Sequence, residues 1–118
     1  MITQEGIMID RTVGLQLAAS TTREEVVRME EALRRAIMEW GKIRLLVEVE
    51  EFRNMDPDAL LEKLGFIVQL GKNIERVALV SRRVWIKAWI LAGGLPIPME
   101  TKYFDHSDME AAWQWLRA

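Results

Sequence analysis

The sequence predicts an α/β fold in which a mixed five-stranded sheet carries four helices, in the order β-β-α-β-α-β-α-β-α. Three observations support it. Short apolar runs of strand length alternate with amphipathic helical patterns, only a few residues separate successive elements, and 118 residues suit one compact core. Strands that alternate with helices pair in parallel through right-handed crossovers, so we expect helices on the faces of the sheet. The whole chain, 1–118, is predicted to be a single domain.

The N-terminal part predicts a hairpin followed by a helix. Residues 7–9 and 13–19 are short apolar segments on either side of a polar turn, as in an antiparallel hairpin. The pair Thr21-Thr22 stands three residues before Glu24-Glu25, which is a capping-box arrangement and predicts a helix start. Apolar residues then recur at intervals of three and four until Gly41, the predicted C-terminal cap.

Three strand–helix units complete the predicted order. Two N-caps are predicted. One is Asp56, which precedes Pro57, and the other is Ser107, which forms a second capping box with Glu110. The apolar runs and breakers place strands at 43–49, 74–80 and 99–104, and helices at about 56–70, 81–92 and 107–116.

Composition excludes several functional classes. The chain has no Cys and one His, which excludes disulfides, thiolate nucleophiles, cysteine zinc clusters and multi-histidine metal sites, and no metal or cofactor is predicted. With 16 basic and 18 acidic residues, the net charge of -2 gives no reason to expect a nucleic acid partner. The N-terminus has no signal-peptide pattern, and no apolar stretch reaches the roughly 20 residues of a membrane span, so we expect a cytoplasmic protein.

The third predicted helix has more apolar surface than packing on one sheet requires. Apolar side chains fill most of its circumference, whereas a helix on a sheet needs an apolar arc of about 100°. The excess predicts contact with a partner subunit, an apolar ligand or a membrane surface; deeper burial in the core is the alternative. Two arginines in the first turn, where the helix dipole favours anions, would form a polar rim. The predicted surface consists of Arg82, Arg83, Trp85, Ile86, Trp89, Ile90 and Leu91.

A second candidate location is the carboxyl edge of the sheet. Glu48 and Glu50 point to the same face of one strand, and Glu50, Ser81 and Asp105 are expected to gather where α/β sheets hold ligands. We interpret these acids and the adjacent Glu51 as solvated or paired with arginine, the candidates being Arg53, Arg82 and Arg83.

His106 lies at a strand-to-helix turn and is interpreted as a surface turn residue. An enzyme that uses Glu48, Glu50 and His106 for acid–base chemistry is the alternative, since paired carboxylates can divide the acid and base roles. The sequence has no nucleotide-binding glycine loop, nucleophile elbow or zinc-protease motif, so we predict a protein that is not an enzyme.

Five segments resemble the SpoIIAA-like proteins of bacteria, which are grouped with the STAS domains and also labelled STAS/SEC14-like. The residues that carry the resemblance are Gly41–Phe52, Ile74–Val80, Trp85–Trp89, and Tyr103-Phe-Asp with Ala112-Trp-Gln-Trp-Leu116. The resemblance extends from about Ile7 to Leu116. It implies a SpoIIAA-like (STAS-type) layer of parallel strands and helices and a non-enzymatic module.

The resemblance also implies two functions. The SEC14-like label implies an apolar small molecule or lipid held by the third helix, and we expect the module to be a homodimer. Regulatory partner switching, as in anti-sigma factor antagonists, is the alternative. Such proteins carry a phosphorylatable Ser at the start of the second helix, and Asp58 stands at that position here. Asp58 is also a good helix cap, which is the structural interpretation.

Overall fold

The computed structural model describes residues 2–3, 6–9, 11–18, 21–50, 62, 65–82 and 99–118. These residues form a sheet of six strands whose spatial order follows their order along the chain. The strands are β1 (Ile2–Thr3), β2 (Gly6–Ile9), β3 (Thr12–Ala18), β4 (Ile43–Glu50), β5 (Ile74–Ser81) and β6 (Glu100–Asp105). The first three strands are antiparallel neighbours, and β3 to β6 are parallel.

The described helices are α1 (Arg23–Trp40), α2 (residues 65–69) and α3 (Met109–Arg117). The predicted α/β class, the hairpin and the parallel pairing are confirmed. The prediction of five strands is wrong, because β1 pairs with β2 as a short edge strand. Two residues are too few to show an alternating pattern in the sequence. The predicted third helix, at 81–92, lies outside the described residues apart from Ser81, which ends β5, and Arg82.

The alternating pleat of the sheet divides the core into two layers. On one face, α1 and α2 pack against the larger layer, which includes the fully buried Leu15, Leu33, Leu45 and Leu79. On the other face, α3 packs against β4, β5 and β6 through Ala112 and Leu116. Each buried leucine of this kind contributes about 1.5–3 kcal/mol by leaving water.

The capping box at the start of α1 is confirmed. The Thr22 hydroxyl accepts a hydrogen bond from the Glu25 backbone N–H at 3.1 Å, and the Glu25 carboxylate accepts one from the Thr22 N–H at 3.0 Å. Gly41 ends the helix with a φ of 82°, which glycine adopts without strain.

The predicted capping box at the start of α3 is wrong. Residues 106–108 already form a 3-10 turn, so Ser107 lies inside a helical turn instead of preceding the helix in an extended conformation. The N-cap position of α3 is Asp108, and its side chain makes no capping hydrogen bond.

Two arginines of the sheet hold the C-terminal end of α3. Arg44 Nη1 donates to the carbonyl of Leu116, and Arg76 Nη1 donates to the carbonyl of Trp115 at 2.7 Å. The last carbonyls of a helix lack partners within the helix and carry partial negative charge, so cationic donors stabilise them. The Arg76 guanidinium also lies 5.2 Å from the centre of the Trp115 ring. The direction of α3 is therefore fixed, with its N-terminal end at the carboxyl edge of the sheet.

Replacing Arg76 with Met should lower the free energy of unfolding by about 1–2 kcal/mol, because it removes a charged donor from α3 while keeping an apolar side chain. Urea unfolding followed by circular dichroism measures the change. Arg34→Met is the matched control, since within the described part of the chain Arg34 forms an exposed helical ion pair with Glu30 at 2.8 Å, which is worth less than about 0.5 kcal/mol. Equal losses in the two variants would contradict the assigned role of Arg76.

Candidate functional site

Three ionisable side chains meet at the carboxyl edge of the sheet. His106 Nε2 lies 3.2 Å from Glu48 Oε2, and Glu50 completes a group in which one donor atom from each side chain lies within 4.8 Å of the others. Glu48 is only 9% exposed, whereas Glu50 is exposed. The group is therefore buried at Glu48 and open to solvent at Glu50.

The register of the parallel strands produces this group. Gln16 of β3 is paired with Glu48 of β4, and its side-chain amide donates to Glu48 Oε1 at 3.3 Å. Because strand side chains alternate, Glu48 and Glu50 both point to the face that carries α3. The 3-10 turn after β6 brings His106 back over the same edge. Side chains from two strands and one turn therefore converge on Glu48, which lies near the carboxyl end of the interior strand β4.

Interactions within the group shift the pKa values of its two carboxyl groups in opposite directions. Burial raises the pKa of Glu48, but hydrogen bonds with Glu50 and Gln16 and the nearby His106 outweigh burial, and the pKa of Glu48 is lowered overall. The pKa of Glu50 is raised, first because its side chain is hydrogen bonded to Glu48, and then by burial and the charge of Glu48. Arg82 acts in the opposite direction on the Glu50 pKa. Glu50 is therefore the carboxyl group that takes up a proton first, and when protonated it donates to Glu48.

The structure changes three sequence-based interpretations at this edge. Glu48 is buried and contacts Gln16 and His106, whereas a solvated or arginine-paired side chain was expected. His106 is not a simple surface turn residue, because its side chain is half-buried and contacts Glu48. The three residues Glu50, Ser81 and Asp105 lie at the carboxyl ends of their strands, as predicted, but their side chains do not gather on one face. Ser81 is in register with Asp105, but the pleat directs both to the face of α1 and α2, opposite Glu50.

Of the surface residues predicted from the sequence, Arg82 is described; it is exposed and directly follows β5. Its charge acts on Glu50, so the start of the predicted surface lies at the same edge as the ionisable group. The remaining predicted surface residues and the position matching the phosphoacceptor lie outside the described residues; these are Arg83, Trp85, Ile86, Trp89, Ile90, Leu91 and Asp58.

The donor set could hold a metal ion, which the sequence reasoning missed. That reasoning rejected metal sites because the chain has one His and no Cys. Two carboxylates and one imidazole are nevertheless sufficient ligands for several divalent ions. The spacing Glu48-x-Glu50 at the end of a predicted parallel strand was the available signal, since such residues share a face.

A groove of about 410 Å³ lies between α1 and α2, on the opposite face of the sheet. The exposed Val27 and the buried Phe66 contribute apolar surface, and Arg23, Glu30 and Glu62 contribute charge. The groove is separated from the ionisable group by the sheet itself.

Comparison with known proteins identifies the family. The SpoIIAA-like family model matches residues 12–117, and the chain belongs to this family. A crystal structure of an uncharacterized protein of the DUF3478 family from Shewanella loihica PV-4, with a SpoIIAA-like fold, is similar with a TM-score of 0.60. The two sequences are 21% identical, and the match covers 89% of this chain and 82% of the other. That similarity supports the fold, and the comparison with curated proteins gives no match. The resemblance inferred from the sequence is confirmed.

None of the helices that the structure describes is both long enough and apolar enough to cross a membrane.

Replacing Glu50 with Gln should stabilise the metal-free protein at neutral pH, by at most about 1 kcal/mol because the side chain is exposed. A raised folded-state pKa means that Glu50 contributes stability below its unfolded pKa and loses it as pH rises through the folded value. The amide keeps a donor toward Glu48 and removes the second negative charge. The gain should therefore shrink as the pH falls through the ordinary range of glutamate.

Thermal unfolding between acid and neutral pH measures this difference, with the exposed helical Glu31→Gln as the control. A Glu50→Gln variant that is less stable than the wild type at neutral pH would contradict the arrangement of the two carboxyl groups.

Proposed function

We propose that the protein is a non-enzymatic binding module that holds an apolar small molecule or lipid against the third-helix segment, with Arg82 and Arg83 as the polar rim. The observation that carries the proposal is the position of Arg82. It is exposed at the carboxyl edge of the sheet, and it begins the segment whose sequence is apolar around most of a helical circumference. Edges of this kind are the usual ligand-binding locations of open α/β sheets.

The strand topology supports the same location. Because β5 and β6 are parallel neighbours, residues 83–98 must connect the carboxyl end of β5 to the amino end of β6. The connection therefore starts beside Glu50. Apolar side chains that follow a cationic residue at this position suit an amphipathic molecule, whose polar end would meet Arg82 and whose apolar part would meet the indole rings.

The non-enzymatic part of the proposal rests on the sequence and on the pairing of the ionisable group. The chain lacks Cys and the motifs of nucleophilic catalysis. The contacts of Glu48 with Gln16 and His106 help to lower its pKa, which makes it a poor general acid or base near neutral pH. We further propose a single cytoplasmic domain over residues 1–118 that forms a homodimer. A second copy of the chain is the alternative occupant of the apolar segment, and the experiment below separates the two occupants.

Partner switching through the second-helix start has no observation in its favour, because Asp58 lies outside the described residues. It stays an alternative based on the family resemblance.

The test uses the fluorescent probe 1-anilinonaphthalene-8-sulfonate, which joins apolar rings to an anion. We expect the wild-type protein to bind it, Trp85→Ser/Trp89→Ser to lose most of the binding because the ring contacts are gone, and Arg82→Gln to weaken it by several-fold. Met38→Ser is the matched control, since Met38 is an 87% exposed apolar residue on α1. Native mass spectrometry of the same samples reports retained ligands and oligomeric state.

Equal probe binding by the wild type and the double tryptophan variant would contradict the proposal. A double variant that changes from dimer to monomer while its probe binding stays unchanged would assign the segment to a subunit interface instead.

A further inference from the structure

We infer that Glu48, Glu50 and His106 form a binding site for a first-row divalent transition metal ion, with Zn²⁺ as the reference ion. Its ligands belong to β4 and to the turn after β6 and not to the proposed apolar surface, whose rim residue Arg82 acts on the site through its charge. It adds a metal-binding capacity that neither the composition nor the family match assigns.

The geometry of the three donors carries the inference. One donor atom from each side chain lies within 4.8 Å of the other two. Zinc binds carboxylate oxygen and imidazole nitrogen at about 2.0–2.2 Å in a tetrahedral arrangement, so two ligands of one ion lie about 3.4 Å apart. His106 Nε2 and Glu48 Oε2, at 3.2 Å, already have this spacing, and the exposed Glu50 side chain would move to complete the set. The donors come from separate parts of the chain, which distinguishes them from neighbouring acids on a surface helix.

Burial and support of Glu48 strengthen the inference. Glu48 is about nine-tenths buried, and Gln16 holds its Oε1 at 3.3 Å while Oε2 faces His106. A metal-binding carboxylate in a protein is usually oriented by such an outer hydrogen bond. The exposure of Glu50 leaves a path for the ion to enter and positions for water ligands.

The charges and donor types indicate the class of ion. Two carboxylates and a neutral imidazole balance a divalent cation, whereas without it two acids must share a proton or repel each other. An imidazole ligand favours zinc and the neighbouring transition metals over Mg²⁺ and Ca²⁺, which take oxygen ligands. Arg82 is the nearby cation that acts on Glu50, so it competes with the metal ion.

Isothermal titration of the chelator-treated full chain with Zn²⁺ tests the site. We expect one zinc ion per chain, with Mg²⁺ binding much more weakly. His106→Gln and Glu50→Gln should each weaken zinc binding by at least about tenfold, since even the loss of an outer hydrogen bond costs about 10–100-fold. Gln16→Leu should weaken it by about tenfold, and Arg82→Gln should strengthen it. Glu100→Gln is the control, because Glu100 pairs with Arg76 outside the group.

X-ray absorption of the zinc-loaded protein gives a second readout. The chain has one His and no Cys, so any imidazole scattering must come from His106 and should disappear in His106→Gln. The inference is overturned if zinc does not bind at millimolar concentration, if His106→Gln and Glu50→Gln bind as the wild type does, or if bound zinc shows no imidazole. Unchanged zinc binding by Trp85→Ser/Trp89→Ser would separate this site from the apolar surface.

Discussion

The burial of one carboxylate within a parallel sheet organises the carboxyl edge of this protein. Glu48 occupies a strand position that is nine-tenths buried. The other polar residues of β4, Arg44 and Glu50, lie near the ends of the strand. A buried carboxylate is expensive unless it is hydrogen bonded or paired. Gln16 and His106 supply those contacts, and each depends on the parallel register that places β3 and the turn after β6 beside β4. The sheet and the ionisable group are therefore coupled.

The same register explains why the two faces of the sheet have different roles. One face is a continuous apolar layer under α1 and α2, and it contains most of the buried apolar residues of the two described core layers. The other face combines a small apolar layer under α3 with polar positions at both ends. Arg44 and Arg76 anchor α3 at the amino edge, and Glu48 and Glu50 face the carboxyl edge. A rigidly placed α3 keeps the turn that carries His106 in position, as a functional group on a stable support requires.

Much of the fold was predictable because its signals are local. The capping box at Thr22 and the glycine cap at Gly41 depend on a few neighbouring residues, and the buried strands are recognisable as apolar runs rich in branched residues. The two-residue β1 and the 3-10 turn before α3 carry no such signal. The contact of His106 with Glu48 was not predictable, because it joins residues far apart in sequence through the strand register. Sequence reasoning found the three side chains as an acid–base alternative, but counting His and Cys alone concealed their suitability as metal ligands.

Metal binding at the carboxyl edge is tested most directly by the nitrogen NMR spectrum of the His106 imidazole, because the single His of the chain gives one pair of ring signals. Long-range proton–nitrogen correlation of the ¹⁵N-labelled chain, recorded before and after one equivalent of Zn²⁺, reports on His106 Nε2 directly. We expect the Nε2 signal, which belongs to the nitrogen that faces Glu48, to shift on zinc addition and to shift less in Glu50→Gln at the same zinc concentration. Ring signals that stay unchanged at saturating zinc would contradict metal binding at this edge.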